Sequence, residues 1–152
     1  MKGYTIAQLA RGGMIAALYA MLALGFPEIS YGIIQFRLSE ALVLLPRLFP
    51  EAIPGLAIGC FISNLGSPFG LLDIVGGTIC TLLAAYCSYR FRNIGWLAVL
   101  APIVINGAGV SIYVAFISKE LYLATMPLIT LGEAIVVVAL ALPLYLLIKR
   151  KQ

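Results

Sequence analysis

Long apolar runs alternate with short polar breaks along this chain, and the pattern predicts membrane-spanning helices. A helix needs about 20 predominantly apolar residues to cross the hydrocarbon core of a bilayer. Four runs approach or exceed that length, and we expect each of them to form a spanning helix. They cover residues 12–26, 71–89, 96–117 and 123–148.

Two shorter apolar pieces, residues 38–49 and 52–65, lie between the first and second of these runs. Pro50 and Pro54 mark their boundary, and proline tends to end or to begin a helix. The pieces could form two short tilted helices or re-entrant segments. We favour two helices, which predicts an all-α, polytopic membrane protein with six transmembrane helices in a single membrane domain over residues 1–152.

The composition agrees with a chain that has the bilayer as its solvent. Of the 152 residues, 62% are hydrophobic and 11% are charged. A soluble domain is nearer half apolar and about a quarter charged, and a soluble fold of this size could not bury so much apolar surface. The first apolar run continues past the length of a signal-peptide core and lacks a small-residue cleavage site, so we expect this segment to be retained.

Basic residues are distributed unequally between the two sides of the predicted topology. If both termini are cytoplasmic, eight lie inside and only Arg37 and Lys119 lie outside, a strong positive-inside bias. We therefore predict a multi-pass protein of the cell membrane with both termini cytoplasmic. The net charge of +4 is then a topology signal, with attraction to anionic membrane lipid as a secondary effect, and it does not indicate a nucleic-acid partner. The inner residues are Lys2, Arg11, Arg47, Arg90, Arg92, Lys149, Arg150 and Lys151.

Residues that serve common enzyme mechanisms are missing from the sequence. It has no histidine and no G-x-S-x-G elbow. Cys60, Cys80 and Cys87 lie inside apolar runs without C-x-x-C spacing, so we expect buried packing residues rather than a zinc or redox site. We predict that the chain is not an enzyme; a paired-carboxylate hydrolase is the enzyme class that the residues leave open.

Seven polar or charged side chains fall within the predicted spans or at their outer ends, where burial in hydrocarbon is costly. We interpret them as a substrate-binding constellation that opens to the outside. Glu133 is the hardest to explain structurally, because it lies near mid-membrane with no lysine or arginine nearby in the sequence. The seven residues are Gln35, Arg37, Glu40, Asn64, Asp73, Asn106 and Glu133.

Five of these seven residues also have a structural interpretation. Arg37 and Glu40 are three apart and could pair with each other on one helical face. Asn106 could hydrogen-bond to a neighbouring helix, and Asn64 could be a cap or turn residue. Asp73 begins a predicted helix, where a carboxylate stabilises the free N–H groups.

The sequence contains no G-x-x-x-x-G-K-[ST] phosphate loop. If transport is driven by ATP, another subunit must therefore supply the ATPase, and we predict no cofactor in this chain. Ala16 and Ala20 lie four residues apart in the first span, and small residues at this spacing let another helix approach closely. They are candidate partner-binding residues, although alanine is common in membrane helices.

Three segments carry a resemblance to a known family. They read YGIIQFRLSEALVLLP (residues 31–46), AIPGLAIGCFISNL (52–65) and LLDIVGGTICTLLAAY (71–86). The Gln-Phe-Arg-x-Ser-Glu core and the spaced Asn64 and Asp73 resemble the QueT family, which comprises substrate-binding S components of energy-coupling factor (ECF) transporters assigned to queuosine precursors. The likeness covers nearly the whole chain and is less distinctive in the final two helices.

The resemblance implies the S-component fold of six helices, with a pocket that opens outward beneath the loop between helices one and two. It also implies a membrane scaffold subunit and two cytoplasmic ATPases that bind ATP, with Ala16 and Ala20 facing the scaffold. The subunit would topple in the membrane to release its ligand inside.

The polar candidates suit a queuosine precursor chemically. A 7-deazaguanine has two adjacent donors, N1–H and the exocyclic amine, and one carboxylate can accept both. An aminomethyl substituent is cationic and would favour a second carboxylate, while a side-chain amide could read the O6 acceptor. We assign Glu133 to the guanine edge, Asp73 or Glu40 to the cationic arm, and Asn64 or Asn106 to the polar ring atoms.

The sequence therefore predicts the substrate-binding subunit of an ECF importer for a queuosine precursor. Three alternatives stay open. The chain could be a proton-coupled secondary transporter of a small polar or cationic molecule, with Glu133 as the protonation site. It could be an S component for another vitamin, or a structural membrane protein without a ligand.

Overall fold

The computed structural model of the chain describes residues 4–30 and 36–151, which form an all-α bundle without a strand. The predicted class, an all-α membrane protein, is confirmed. The described α-helices are α1 (Ile6–Gly25), α2 (Pro27–Ser30), α3 (Ala52–Asn64), α4 (Thr78–Arg90), α5 (Gly95–Ser118), α6 (Tyr122–Val136) and α7 (Leu142–Lys149).

Three stretches of the described chain are long and apolar enough to cross a membrane. They are α1, α5 and the continuous helical run Tyr122–Lys149, which includes α6 and α7. The helix α3 is apolar but has only 13 residues. The helices agree with five of the six predicted apolar segments, whereas the six-span count stays a prediction.

The predicted helix over residues 38–49 is wrong in its type. This segment forms two 3₁₀-helices, Leu38–Leu42 and Leu45–Arg47, joined by a turn. Pro46 is the second residue of the second 3₁₀-helix, and proline cannot donate the backbone hydrogen bond of a continuing α-helix. A 3₁₀-helix rises about 2 Å per residue against 1.5 Å in an α-helix, so the short segment reaches further.

The 3₁₀ segment lies in the centre of the bundle. Leu42 and Leu45 pack with side chains from α1, α3 and α4, whereas Val43 and Leu44 pack with side chains from α4, α5 and α7. Non-helical backbone at membrane depth is tolerated where protein surrounds it. The surrounding helices therefore explain how this segment can depart from α geometry.

Two π-helical turns interrupt the longer helices. Asp73–Gly77 leads into α4, and Val137–Ala141 joins α6 to α7. π-Turns occur frequently at functional sites, because the extra residue re-aims side chains. Both turns lie next to predicted site residues: Asp73 begins the first, and Glu133 lies four residues before the second.

Helices α1 and α3 pack unusually closely through small residues. A Cβ atom added at Gly55 would lie 2.6 Å from the Gly12 carbonyl oxygen, and one at Gly59 would lie 2.7 Å from both the Ala16 carbonyl oxygen and Tyr19 Cβ. The side chains of Ala16 and Ala20 are only 7% and 9% exposed. Ala16 and Ala20 are therefore part of the packing within this chain.

Gly59→Ala is expected to lower the stability of the bundle, because the added methyl group overlaps backbone that cannot move away easily. Overpacking of this kind costs about 1–3 kcal/mol. Gly13→Ala is the matched control on α1, since a Cβ there meets nothing within 4 Å. Thermal unfolding of the detergent-purified variants measures the difference, and equal midpoints for Gly59→Ala and Gly13→Ala would contradict the close packing.

Candidate functional site

All six predicted site residues that the structure describes are buried, with exposures from 0% to 6%. The seventh, Gln35, lies outside the described residues. The six form two polar groups, which we call the clamp and the acceptor cluster. The clamp comprises Arg37, Asn64 and Asp73, and the acceptor cluster comprises Glu40, Asn106 and Glu133.

The clamp is built around the carboxylate of Asp73. Arg37 Nη2 donates to Asp73 Oδ1 and Oδ2 at 2.7 and 2.9 Å. Tyr113 donates to Oδ1 at 2.6 Å, and Ser67 donates to Oδ2 at 2.5 Å. Asn64 Nδ2 donates to the Asp73 main-chain carbonyl at 2.8 Å. Charge-assisted bonds of this kind stabilise an ionised carboxylate, so Asp73 is already supplied with donors.

Two consecutive glycines make room for the clamp. A Cβ atom at Gly77 would lie 2.7 Å from Asn64 Nδ2 and 2.8 Å from Asp73 Oδ1, and one at Gly76 would lie 3.2 Å from the Tyr113 ring. The π-turn therefore uses glycine where the side chains of α3 and α5 approach its backbone.

The acceptor cluster contains two carboxylates from distant parts of the chain. Glu40, on the first 3₁₀-helix, accepts from the Tyr19 hydroxyl at 2.5 Å and from Thr81 Oγ1 at 3.3 Å, both at Oε1. Glu133, on α6, accepts from Asn106 Nδ2 at 2.8 Å. Both carboxylates are buried, and each lies within the electrostatic influence of Arg37 as well as of the other acid. Neither of the described ion pairs includes Glu133.

A close approach of α5 and α6 brings Asn106 and Glu133 together. A Cβ atom at Gly107 would overlap Thr130 Oγ1 and would lie 2.9 Å from Thr130 Cβ. Gly107 follows Asn106, and Thr130 lies three residues before Glu133 on the same helical face. The missing side chain at Gly107 therefore lets the amide reach the carboxylate.

Several buried oxygen atoms in and beside the acceptor cluster have no hydrogen-bond partner among the described residues. They include Glu40 Oε2, Asn106 Oδ1 and the hydroxyl oxygen of Thr130. Leaving a buried acceptor unpaired costs free energy, most of all where hydrocarbon surrounds the protein. A small molecule that presents several N–H donors, with a positive charge beside the two carboxylates, would satisfy these atoms.

Cys60 lies between the two groups. Asn64 Nδ2 and Thr81 Oγ1 each approach its Sγ atom at 3.4 Å. Cys60 is buried, whereas Cys80 and Cys87 are half-buried, and all three are free thiols. Across residues 4–30 and 36–151, no group of three or more histidine, cysteine or acidic side chains is arranged to hold a metal ion.

Sequence reasoning missed the residues that hold the acids in place, chiefly Tyr19, Thr81 and Tyr113. Tyr19 and Tyr113 lie well inside apolar runs, and a buried tyrosine hydroxyl usually finds a hydrogen-bond partner. That signal identifies the tyrosines as polar contacts but does not identify the acid that each one meets.

Comparison with known proteins gives a family and one named relative. Residues 9–150 match a family described as QueT transporter. A Lactococcus lactis subsp. cremoris (strain MG1363) protein named queuosine precursor transporter QueT is 40% identical over 84 residues, which cover 54% of this chain and 47% of that protein. The aligned part thus spans about half the length of that relative. No solved structure matches the chain.

Proposed function

This chain belongs to the QueT transporter family, and on that premise we propose that it is the substrate-binding membrane subunit of an ECF-type importer for a queuosine precursor. The family is one of transporters rather than enzymes, and the apolar helices make the chain a membrane protein. The substrate is suggested by the name of the Lactococcus relative, and the ECF mechanism by the sequence resemblance.

The observation that carries the proposal is the acceptor cluster. Glu40 and Glu133 are buried carboxylates with electrostatic influence on each other, and Glu40 Oε2 has no hydrogen-bond partner among the described residues. A 7-deazaguanine with an aminomethyl arm combines the adjacent donors of a guanine edge with one cation. Such a ligand would supply donors to both acids and reduce their mutual repulsion.

We assign Glu133 to the guanine edge and Glu40 to the cationic arm. Asp73 was the other predicted candidate for the arm, but Arg37, Tyr113 and Ser67 already donate to it. In our proposal, Asp73 holds the side chains of Arg37 and Tyr113 in place. A ligand with a neutral nitrile in place of the aminomethyl group should bind less tightly, because it offers Glu40 no cation.

Of the two amides, Asn106 is better suited to hydrogen-bond to the polar ring atoms of the ligand. Its Oδ1 atom is buried without a partner, whereas Asn64 Nδ2 is bonded to the main chain of Asp73. With Nδ2 bonded to Glu133, Asn106 presents an acceptor, so it suits a donor on the ring rather than O6. Contact between the ligand and Gln35 stays a prediction.

The partners in this proposal are a membrane scaffold subunit and two cytoplasmic ATPases, which would bind the ATP. The predicted contact through Ala16 and Ala20 stays untested, and both residues are mostly buried within this chain. The outward face of α1, where Met14, Ala17 and Met21 line a shallow apolar groove, offers the scaffold an accessible surface without separating α1 from α3.

The chain alone is expected to bind ligand without transporting it. In liposomes that contain only this chain, neither ATP nor a proton gradient should drive uptake of a 7-deazaguanine, whereas adding the scaffold and ATPase subunits should make uptake depend on ATP. Uptake by the chain alone under a proton gradient would favour the secondary transporter instead. The secondary transporter stays an alternative because Glu40 and Glu133 are two buried acids, and such a pair could bind and release the coupling proton.

Both termini are proposed to be cytoplasmic. Contacts between Arg11 and Glu51, and between Arg47 and the Arg92 carbonyl, join residues that the topology assigns to one side. In a variant with its native cysteines replaced by alanine, a cysteine at Glu120 should react with a membrane-impermeant maleimide on intact cells. A cysteine at Arg150 should react only after permeabilisation, and labelling of both from one side would refute the topology.

A further inference from the structure

A surface groove away from the polar clusters runs between α5 and α7. Its volume is about 570 Å³. Val99 and Leu100 of α5 form one wall, and Leu142 and Leu146 of α7 form the other. We call this feature the α5–α7 groove. Its apolar walls resemble the environment of a lipid tail rather than that of a polar solute.

Two cations lie at one end of the α5–α7 groove. The Arg47 guanidinium carbon and Lys149 Nζ lie 4.1 and 5.8 Å from the centre of the Tyr145 ring. None of the described residues that line the groove is acidic. Arg47 Nε is buried and has no hydrogen-bond partner among the described residues, so this end of the groove has positive charge and an unused donor.

The beginning of α5 adds to the positive character of the same end. The helix starts at Gly95, and Ile94 provides no side-chain cap, which leaves its first N–H groups available to an anion. The next residue, Trp96, lines the groove and is 68% exposed. Tryptophan is enriched at the level of lipid headgroups, which favours a headgroup at this end.

We propose that the α5–α7 groove binds a phospholipid with a net negative headgroup. The phosphate lies between Arg47 and Lys149, and an acyl chain follows the apolar walls formed by α5 and α7. Basic pockets between helices at the cytoplasmic side of membrane proteins bind anionic headgroups, and this end carries the residues predicted to be cytoplasmic. The proposal does not depend on the identity of the transported molecule.

Native mass spectrometry of the purified full chain tests the headgroup selectivity, with dioleoyl-phosphatidylglycerol and dioleoyl-phosphatidylcholine offered in equal amounts. Adducts of phosphatidylglycerol should dominate. Lys149→Gln should reduce that preference about fivefold, and Arg47→Gln combined with it should nearly remove it, since a cation in contact with the headgroup contributes about fivefold. Lys149 is exposed, so its replacement alone keeps the test valid if the double variant misfolds.

The matched control removes the same charge at the same end of the chain, outside the groove. Arg150→Gln combined with Lys151→Gln should keep the preference for phosphatidylglycerol. Leu100→Trp, which fills the groove without changing charge, should weaken phosphatidylglycerol binding. Equal binding of the two lipids by the unmodified chain, equal losses in the control and groove variants, or full binding by Leu100→Trp would each overturn the proposal.

Discussion

Glu133→Gln is expected to weaken the binding of an aminomethyl 7-deazaguanine by about 30-fold or more. Losing one bidentate, charge-assisted contact in a desolvated site costs roughly 2–5 kcal/mol. Glutamine keeps the shape of the side chain and an oxygen that Asn106 can still bond, but it places an N–H₂ group against the donors of the guanine edge. Calorimetric titration of the detergent-purified variant measures the change.

The bundle should tolerate Glu133→Gln, because a neutral amide is less costly to bury than a carboxylate. Glu120→Gln makes the same chemical change at an exposed position and should leave the affinity unchanged. Unaltered affinity in Glu133→Gln would assign Glu133 a structural role, and Glu40 would then be the acid to test.

Asp73→Asn is expected to destabilise the folded bundle by about 3–5 kcal/mol, the usual cost of removing one partner from a buried ion pair. The change removes the carboxylate to which Arg37 donates at 2.7 and 2.9 Å. It also replaces an acceptor of the Tyr113 or Ser67 hydroxyl by an amide donor. The effect is measured as a large fall in the thermal unfolding midpoint in detergent.

Glu51→Gln is the matched control for Asp73→Asn, since it breaks the other described ion pair. The Arg11 side chain is 43% exposed against 7% for Arg37, so solvent can replace its partner and the loss should stay near 1 kcal/mol or below. If Asp73→Asn unfolds like the unmodified chain yet no longer binds the deazaguanine, the ligand contacts Asp73 directly and the clamp is part of the binding site.

Hydropathy alone predicted α3 and α5, although both helices also carry side chains of the polar clusters. The boundaries of α3 and α5 fall within one residue of those expected for residues 52–65 and 96–117. The 3₁₀ segment could not be predicted, because its geometry depends on the helices that surround it. In such a position tertiary packing overrides the helical preference of a leucine-rich sequence.

Burial of the polar site residues followed from the sequence, but their partners did not. The i,i+3 spacing suggested a pair between Arg37 and Glu40, yet Arg37 bonds to Asp73, 36 residues away. Arg37 precedes the first 3₁₀-helix with an extended backbone, so the helical spacing rule does not direct its side chain. Contacts between residues this far apart in the sequence depend on how the helices pack.

The small-residue spacing in α1 shows a similar limit. Small residues at this spacing allow another helix to approach closely, but the pattern alone does not distinguish a helix of the same chain from one of a partner. Gly55 and Gly59 on α3 make the intrachain contact possible, and they carry no polar signal that would have drawn attention to them.

Titration of the purified, unmodified chain with the aminomethyl and nitrile forms of 7-deazaguanine tests the central claim most directly. We predict saturable binding of the aminomethyl form without any partner subunit, and weaker binding of the nitrile form, because only the former brings a cation to Glu40 and Glu133. Absence of saturable binding to either base would contradict the assignment of this chain as the substrate-binding subunit for a queuosine precursor.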